Sequence, residues 1–287
     1  MKQIPFDAKK NVIPAFITPI GNFKLPGAGE LNRALESEIL RHMQSEGGMT
    51  RSNVGGWHSN DDFFKRTSPA IQELKEWINA AVLRMVALAS KTQRFTCQFG
   101  LTGWANVNGP GQYNANHNHP GCIWSGVYYV RAGAYPDDPL PKAGQLQFYD
   151  PRGSVNMIQH PGKSVFGHVI NVKPADGLLV VFPAWLFHSV NPFMSDVRRI
   201  SIAFNVQIRS FEAVEGEPED DDREVAAMAV AAPKKASRKK ATAKKTTRKK
   251  TARKKAARKK AAKKPAKKLP ASDGSRKRST RKAASGK

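Results

Sequence analysis

The stretch RRISIAFNVQI, residues 198–208, decides the fold. Successive side chains of a strand point to opposite faces, so an extended chain here puts Arg199, Ser201 and Asn205 on one face and the intervening apolar residues on the other. A half-exposed strand with its polar face in water would show the same alternation. The histidines that precede this stretch favour a polar face that lines a site.

Three histidines stand next to apolar, β-rich runs. His188 follows the run GLLVVFPAWLF, which begins at Gly177, and His117 and His119 lie two positions apart before the run IWSGVYYV. Residues at i and i+2 share one face of an extended chain, so these two imidazoles and a distant third can bind one metal ion. Each histidine alone is a weak signal. Their order, HxH, strand, His and Arg-x-Ser, favours a metal site over isolated structural histidines.

Other residues are weaker candidates. The remaining histidines are not part of this pattern of histidines and β-rich runs. We expect structural or surface positions for His42, His58, His160 and His168. Aromatic and polar residues on the β-rich runs could line a pocket, although aromatic side chains on strands are usually core. These pocket candidates are Trp104, Asn106, Tyr128 and Tyr129.

The hydrophobic period changes near Phe95. Before it, apolar residues recur every three or four positions from about Glu30 to Gln44 and from Pro69 to Ser90, which predicts two helices. After it, short β-rich runs separated by Gly, Pro and Asn predict strands at 94–106, 123–130, 145–149, 164–172, 177–182 and 199–208. Helices followed by many short strands predict an α+β domain built on an antiparallel barrel or sandwich.

The motifs HxH, GVYYV, LQFYDPR, GLLVVFPAWLFHSV and RRISIAFN, in this order, resemble the core of the 2-oxoglutarate/Fe(II) dioxygenases, in particular their bacterial and phage group. SNVGGWHS from Ser52 and GWANVN from Gly103 extend the likeness over most of residues 50–208. The resemblance implies a double-stranded β-helix core (jelly-roll, cupin-like) with flanking N-terminal helices. It also implies an oxidoreductase that uses Fe(II), 2-oxoglutarate and O2 to hydroxylate a substrate.

The resemblance implies a role for each matching residue. His117 would be the first iron ligand and His188 the distal one. Most of the superfamily has a carboxylate where this chain has His119, so the implied site is three imidazoles. A carboxylate from elsewhere, such as Asp150, or a site without turnover are the alternatives. We rank His119 first, because Asp followed by Pro at a strand end is typical of a turn.

The resemblance further implies that Arg199 with Ser201 binds the far carboxylate of 2-oxoglutarate. A facial triad leaves three coordination positions, enough for a bidentate 2-oxo acid and dioxygen. Arginine presents a planar fork that matches a carboxylate, and the serine adds a donor from the same strand face. Arg198 lies on the opposite face by parity and is the weaker candidate.

The composition changes near residue 210, where we place the end of the folded domain, 1–210. Residues 212–224 hold eight acids and one Arg, and we interpret 211–232 as an acidic linker. Of the 48 Lys and Arg residues, 26 lie from Lys234 to Lys287 with a single acid, so this segment carries the +25 formal charge of the chain. Few residues here could build a core, which predicts a disordered Lys/Arg/Ala-rich tail over 233–287.

The tail resembles those of linker histones and of bacterial nucleoid proteins. Nucleic acid is its expected partner, because each neutralised phosphate releases counterions and gives non-specific, salt-sensitive binding. A solubilising tail is the alternative. Two functions therefore compete: an oxygenase held near DNA by its tail, and a non-catalytic, nucleoid-associated protein that retains the oxygenase fold.

The expected compartment is the cytoplasm. Cys97 and Cys122 are too few for a disulfide framework and lack the spacing of a zinc site. The N-terminal stretch lacks a hydrophobic core of signal-peptide length, and no apolar run approaches the roughly 18 residues of a membrane span. We expect no membrane partner and, if the tail binds DNA, association with the nucleoid.

Overall fold

Two antiparallel sheets and two long helices form the structure. The computed structural model describes residues 4–13, 15–133, 142–153 and 168–214. The predicted tail, most of the acidic linker, His160 and the first part of the predicted 164–172 strand lie outside these residues. The helices are α1 Ala8–Asn11, α2 Ala28–Ser45 and α3 Pro69–Ser90, with a short 3-10 turn at Phe63–Lys65. None of the described helices is long and apolar enough to cross a membrane.

The chain passes back and forth between the two sheets. One sheet has the order β1-β9-β6-β11-β4-β3 and the other β2-β5-β10-β7-β8, with every strand pairing antiparallel. The strands are β1 Gly21–Lys24, β2 Asn53–Val54, β3 Trp57–His58, β4 Phe95–Asn108, β5 Tyr113–His117, β6 Trp124–Arg131, β7 Leu146–Tyr149, β8 Val169–Val172, β9 Leu178–Pro183, β10 His188–Val190 and β11 Arg199–Ala213. This alternation between two sheets is a jelly-roll arrangement, so the predicted α+β architecture is confirmed for the described residues.

The helices cover one face of the six-stranded sheet. Helix α3 begins with Pro69 after Ser68, whose side chain accepts a hydrogen bond from the Ile71 N–H at 3.3 Å. The apolar side chains of Ile71, Leu74, Ile78 and Val82, at steps of three and four, are fully buried, each contributing roughly 1.5–3 kcal/mol by leaving water. They pack with one side of the sheet in a single core that includes Leu74, Ile78, Val82, Leu179, Ile200, Ile202 and Phe204.

The opposite face of the six-stranded sheet meets the five-stranded sheet. A second, smaller core lies there, formed by Tyr129, Leu146, Phe148, Val180, Phe182, Leu186 and Val190. Because side chains alternate along a strand, residues next to each other in sequence enter different cores. On β11 this alternation directs Ile200 and Ile202 to the helices and leaves Arg199 and Ser201 on the inner face.

Candidate active site

The three predicted histidines come together on the inner side of the five-stranded sheet. His117, the last residue of β5, is the register partner of His188, the first residue of β10, and their ring centroids are 4.3 Å apart. His119, in the loop after β5, lies with its ring centroid 5.0 Å from that of His117 and 5.2 Å from that of His188. One ligand nitrogen from each lies within 4.8 Å of the other two. Since metal–imidazole bonds measure about 2.0–2.1 Å, a single ion can contact all three after small side-chain rotations.

Backbone carbonyls orient two of the rings. The Nδ1 of His117 is 2.7 Å from the carbonyl oxygen of Ala115, and the Nδ1 of His188 is 2.9 Å from that of Leu186. A carbonyl only accepts, so each Nδ1 carries the proton and each Nε2 keeps its lone pair. That is the tautomer in which a histidine ligates a metal through Nε2. Ser52 Oγ lies 3.3 Å from the Nε2 of His117.

A side chain orients the third ring. The Asn205 amide lies 3.4 Å from the Nδ1 of His119, and the buried Asn205 Oδ1 has no hydrogen-bond partner among the described residues. Amide oxygen and nitrogen are assigned from such networks. Rotating the amide by a half-turn lets Oδ1 accept the Nδ1–H of His119, which leaves its Nε2 free for a metal as in the other two histidines. Asn205 is thus the hydrogen-bond partner of the third candidate ligand.

The histidines are held in the neutral form. Burial lowers the pKa of His188 to about 3, with further lowering from the nearby His117. Burial, again with His117, lowers the pKa of His119 to about 4, and burial also lowers the pKa of His117. At neutral pH all three are therefore unprotonated at one nitrogen, as metal binding requires.

Asp150 does not reach the cluster. Its Oδ1 accepts hydrogen bonds from the backbone N–H and the Nε of Arg152, both at 2.9 Å, and the hydrogen bonds from Arg152 lower its pKa. Asp150 lines a different cavity, beside Ile170 and Trp185. The interpretation of Asp150 as a turn residue agrees with this geometry, and the structure gives no support to a carboxylate from this position as a metal ligand.

Arg199 lies in the same cavity as the histidines. Only 2% of it is exposed, and no Asp or Glu of the described chain forms an ion pair with it. Its Nη1 donates to Asn108 Oδ1 at 3.4 Å, its Cζ stands 5.1 Å from the centre of the Tyr129 ring, and its Nε has no described hydrogen-bond partner. Ser201, also 2% exposed, lines the cavity beside it. Arg198 is exposed and lines a separate outer groove.

Three of the four pocket candidates line this cavity. Trp104, Asn106 and Tyr129 do so, whereas the prediction for Tyr128 is wrong. Tyr128 points to the helices, where its hydroxyl donates to Asn32 Oδ1 at 2.6 Å. Adjacent residues of a strand cannot share a face, so only one of the two tyrosines could enter the cavity.

The other described histidines lie apart from the cluster. His58 is buried, stacks on Trp104 with ring centroids 5.3 Å apart, and places its Nδ1 2.6 Å from the Ser59 carbonyl oxygen. His42 is buried with its Nε2 2.6 Å from Glu46. His168 is exposed. These positions agree with structural or surface roles.

Residues 102–205, which contain the three histidines, Arg199 and Ser201, match the family model described as "Putative 2OG-Fe(II) oxygenase". Residues 102–205 therefore match a 2OG-Fe(II) oxygenase domain, and the family of that model uses Fe(II) and 2-oxoglutarate. No curated protein matches the chain in sequence.

Several solved structures are similar to the chain. A Pseudomonas putida prolyl-4-hydroxylase shares 20% identity at a TM-score of 0.47, covering 67% of this chain and 93% of its own. HygX from Streptomyces hygroscopicus, with nickel and 2-oxoglutarate bound, shares 12% identity at a TM-score of 0.45, covering 66% and 83%. SnoN, a non-heme alpha ketoglutarate dependent epimerase from nogalamycin biosynthesis, shares 10% identity at a TM-score of 0.47, covering 68% and 79%. Similarity at this level says nothing about the substrate or reaction of this chain.

Proposed function

We propose that the protein is an Fe(II)- and 2-oxoglutarate-dependent dioxygenase that hydroxylates a substrate. His117, His119 and His188 hold the metal, and Arg199 with Ser201 binds the far carboxylate of 2-oxoglutarate. The observation that carries the proposal is a buried arginine without an acidic partner in the same cavity as three converging, neutral histidines. The histidines suit a metal that binds the 2-oxo acid end of the co-substrate, and the arginine suits the far carboxylate.

Charge supports the co-substrate assignment. A buried guanidinium without a counter-ion is costly, so a site that retains one is built to receive an anion. No Asp or Glu of the described residues lines the cavity, and the three imidazoles are neutral. A divalent metal with Arg199 would leave this lining strongly positive. A ligand with two carboxylates supplies negative charge at both ends.

The side chains around the cavity position the reactants. Bound Fe(II) supplies the redox chemistry by which 2-oxoglutarate is decarboxylated and the substrate is oxidised. Arg199 provides a forked donor and Ser201 a hydroxyl on the same strand face, and the Tyr129 ring packs against the guanidinium with its centre 5.1 Å from Cζ. Apolar side chains such as Phe182 line the same cavity and exclude water, which strengthens these electrostatic contacts.

Anaerobic titration tests the proposal. The metal-free protein receives Fe(II) and then 2-oxoglutarate, and we expect a visible metal-to-ligand charge-transfer band that saturates at one equivalent. Admission of O2 should then yield succinate, which separates an active site from one that binds without turnover. Absence of the band from fully metal-loaded protein would refute the oxygenase assignment. A band without succinate, even with candidate substrates, would favour the non-catalytic alternative.

A second function is proposed for the basic tail. The segment from Lys234 to Lys287 has 26 basic residues and one acid, a charge density suited to a polyanion. Our proposal is that it binds nucleic acid without sequence preference and associates the protein with the nucleoid. It divides the chain into a folded domain to about residue 210, an acidic linker over 211–232 and a tail over 233–287. The non-catalytic alternative shares this tail but assigns no turnover to the domain.

A further inference from the structure

Two asparagines of β4 stand directly opposite the two residues assigned to the co-substrate. In the register of β4 and β11, Asn108 pairs with Arg199 and Asn106 pairs with Ser201. The four residues are nearly inaccessible, with exposed fractions of 1%, 2%, 6% and 2% in that order. Burial of four polar side chains is costly unless each forms hydrogen bonds. The hydrogen-bond partners of these residues therefore indicate what the residues bind.

Asn108 holds the guanidinium without neutralising it. Its Oδ1 accepts from the Arg199 Nη1 at 3.4 Å, and it is not part of the cavity wall. Gly56 packs against the other side of the amide, where a Cβ on Gly56 would lie 2.5 Å from the Asn108 Nδ2. The amide is thereby confined between β4 and the backbone of Gly56. An aspartate would fit the same space but would form an ion pair with Arg199 and cancel its charge.

Asn106 has an unsatisfied hydrogen-bonding atom at the cavity. Its Oδ1 is buried and has no partner among the described residues, although the side chain lines the cavity next to Ser201. An unsatisfied buried amide lowers stability, and a bound ligand can supply the missing partner. A carboxylate only accepts hydrogen bonds, so a half-turn of the amide that exchanges Oδ1 for Nδ2 gives such a ligand a donor.

We propose that these two asparagines complete the anion site. Asn108 is a positioning residue that orients Arg199 while leaving its positive charge available, and Asn106 is a ligand-binding residue that hydrogen-bonds the carboxylate end of the bound acid beside Ser201. The site therefore selects a dicarboxylate through the uncompensated charge of Arg199 and the neutral amides of Asn106 and Asn108. This inference rests on the proposed function in taking 2-oxoglutarate as the ligand.

The decisive variant is Asn108→Asp. It keeps the shape of the side chain and adds the charge that the site lacks. We expect the affinity of the Mn(II)-loaded protein for 2-oxoglutarate, measured by calorimetry, to fall about ten- to a hundredfold, because Arg199 now has an internal partner. The ligand-free variant should melt at a higher temperature than the wild type. Asn22→Asp, at an exposed position of β1, makes the same charge change away from the cavity and should alter neither value.

A second pair of variants separates orientation from contact. Asn108→Ala should weaken 2-oxoglutarate binding without raising the ligand-free melting temperature, because it removes the hydrogen bond that orients Arg199 and adds no charge. Asn106→Ala should weaken binding about five- to tenfold and leave the metal stoichiometry unchanged. Wild-type affinity in Asn108→Asp would overturn the positioning role, and wild-type affinity in Asn106→Ala would overturn the ligand contact.

Succinate distinguishes failure of this inference from failure of the proposed function. If the wild type binds succinate but not 2-oxoglutarate, and Asn108→Asp abolishes succinate binding, the anion site stands and the oxygenase assignment falls. If the wild type binds 2-oxoglutarate and Asn108→Asp binds it equally well, the oxygenase assignment stands and the charge-preserving role of Asn108 falls. A wild type that binds neither acid overturns both.

Discussion

His117 and His188 face each other as register partners across β5 and β10, and each has its Nδ1 next to the carbonyl oxygen of the residue two positions earlier in its own chain. The same local hydrogen bond thus fixes both tautomers, although 71 positions separate the residues in sequence. Neither ring depends on another side chain for its orientation at Nδ1. The pair is therefore pre-organised for a metal by backbone geometry alone.

Loss of either ring of this pair should remove the metal. We expect His117→Ala and His188→Ala each to abolish stoichiometric Fe(II) binding, because a lost ligand in a three-ligand site is not replaced by water at equal affinity. Metal content after anaerobic loading and desalting measures this, with circular dichroism to show that the domain stays folded. His168→Ala, at an exposed position, is the matched control. Full metal content in both variants would eliminate the proposed centre.

His119 and Asp150 make opposite predictions for the third ligand. Since His119 lies in the cluster and Asp150 is hydrogen-bonded to Arg152, His119→Ala should lower metal affinity and Asp150→Ala should leave it unchanged. Competition with a chromogenic chelator gives both affinities. Retention of metal by His119→Ala together with its loss from Asp150→Ala would reverse our ranking.

Arg199 is the first residue of β11 and lines the cavity, whereas Arg198 precedes the strand and is exposed. Arg199→Ala should weaken 2-oxoglutarate binding roughly a hundredfold or more, through loss of a charge-assisted bidentate contact, with little effect on Fe(II). Arg198→Ala should have a small effect, because Arg198 is exposed and outside the cavity. The readout is the 2-oxoglutarate concentration at half-maximal charge-transfer absorbance. The reverse order of the two variants would disprove the assignment of strand faces.

The metal-free protein should lose stability as the pH falls below about 6.5. Burial lowers the folded-state pKa of His188 to about 3 and that of His119 to about 4, whereas the unfolded chain titrates near 6.5. Between these values the unfolded state binds more protons, so the free energy of unfolding decreases with decreasing pH. Urea midpoints at pH 7.5 and 5.5 measure the change, and His188→Gln should reduce it. An equal pH dependence in His188→Gln would contradict the prediction.

Truncation after about residue 225 should abolish general DNA affinity and leave 2-oxoglutarate turnover intact, since every proposed ligand lies before Asn205. In the full chain, the logarithm of the affinity should fall linearly with the logarithm of salt concentration, with a slope of about −0.9 per duplex phosphate neutralised. Fluorescence anisotropy with a labelled duplex provides both values. A scrambled tail of the same composition is the control and should behave as the natural one. DNA binding by the truncated protein with an unchanged slope would place the nucleic-acid surface on the folded domain.

Patterns of local sequence predict the two long helices and the convergence of the candidate site residues. Periodicity alone predicts α3 at its observed bounds, because Pro69 and the apolar steps of three and four residues are local signals. The predicted alternation separates Arg199 from Arg198, and the two residues do line different cavities, although Arg198 precedes β11. The three histidines, once taken as one pattern, converge as predicted.

Relationships between distant segments are what the sequence could not reveal. The pairing of Asn108 with Arg199 depends on the register of two strands far apart in the chain, and nothing local fixes that register. The unknown register also explains the error for Tyr128. Alternation shows that Tyr128 and Tyr129 point to opposite faces of the strand, but it does not show which of them faces the cavity. Alternation places Asn205 on the inner face of β11, yet its contact with His119 emerges only from the folded chain. Strands as short as β3 and β10 offer too few residues to show a period.

The candidate metal ligands and the candidate anion-binding residues belong to different sheets. His117 and His188 lie on the five-stranded sheet, and Arg199 lies on the six-stranded sheet, with all three lining one cavity. A diacid bound in the proposed way would therefore be a non-covalent cross-link between two sheets that pack about 10 Å apart. We therefore expect affinity to depend on molecular length as well as charge: oxaloacetate is one carbon shorter than 2-oxoglutarate and 2-oxoadipate one carbon longer, and both should bind more weakly.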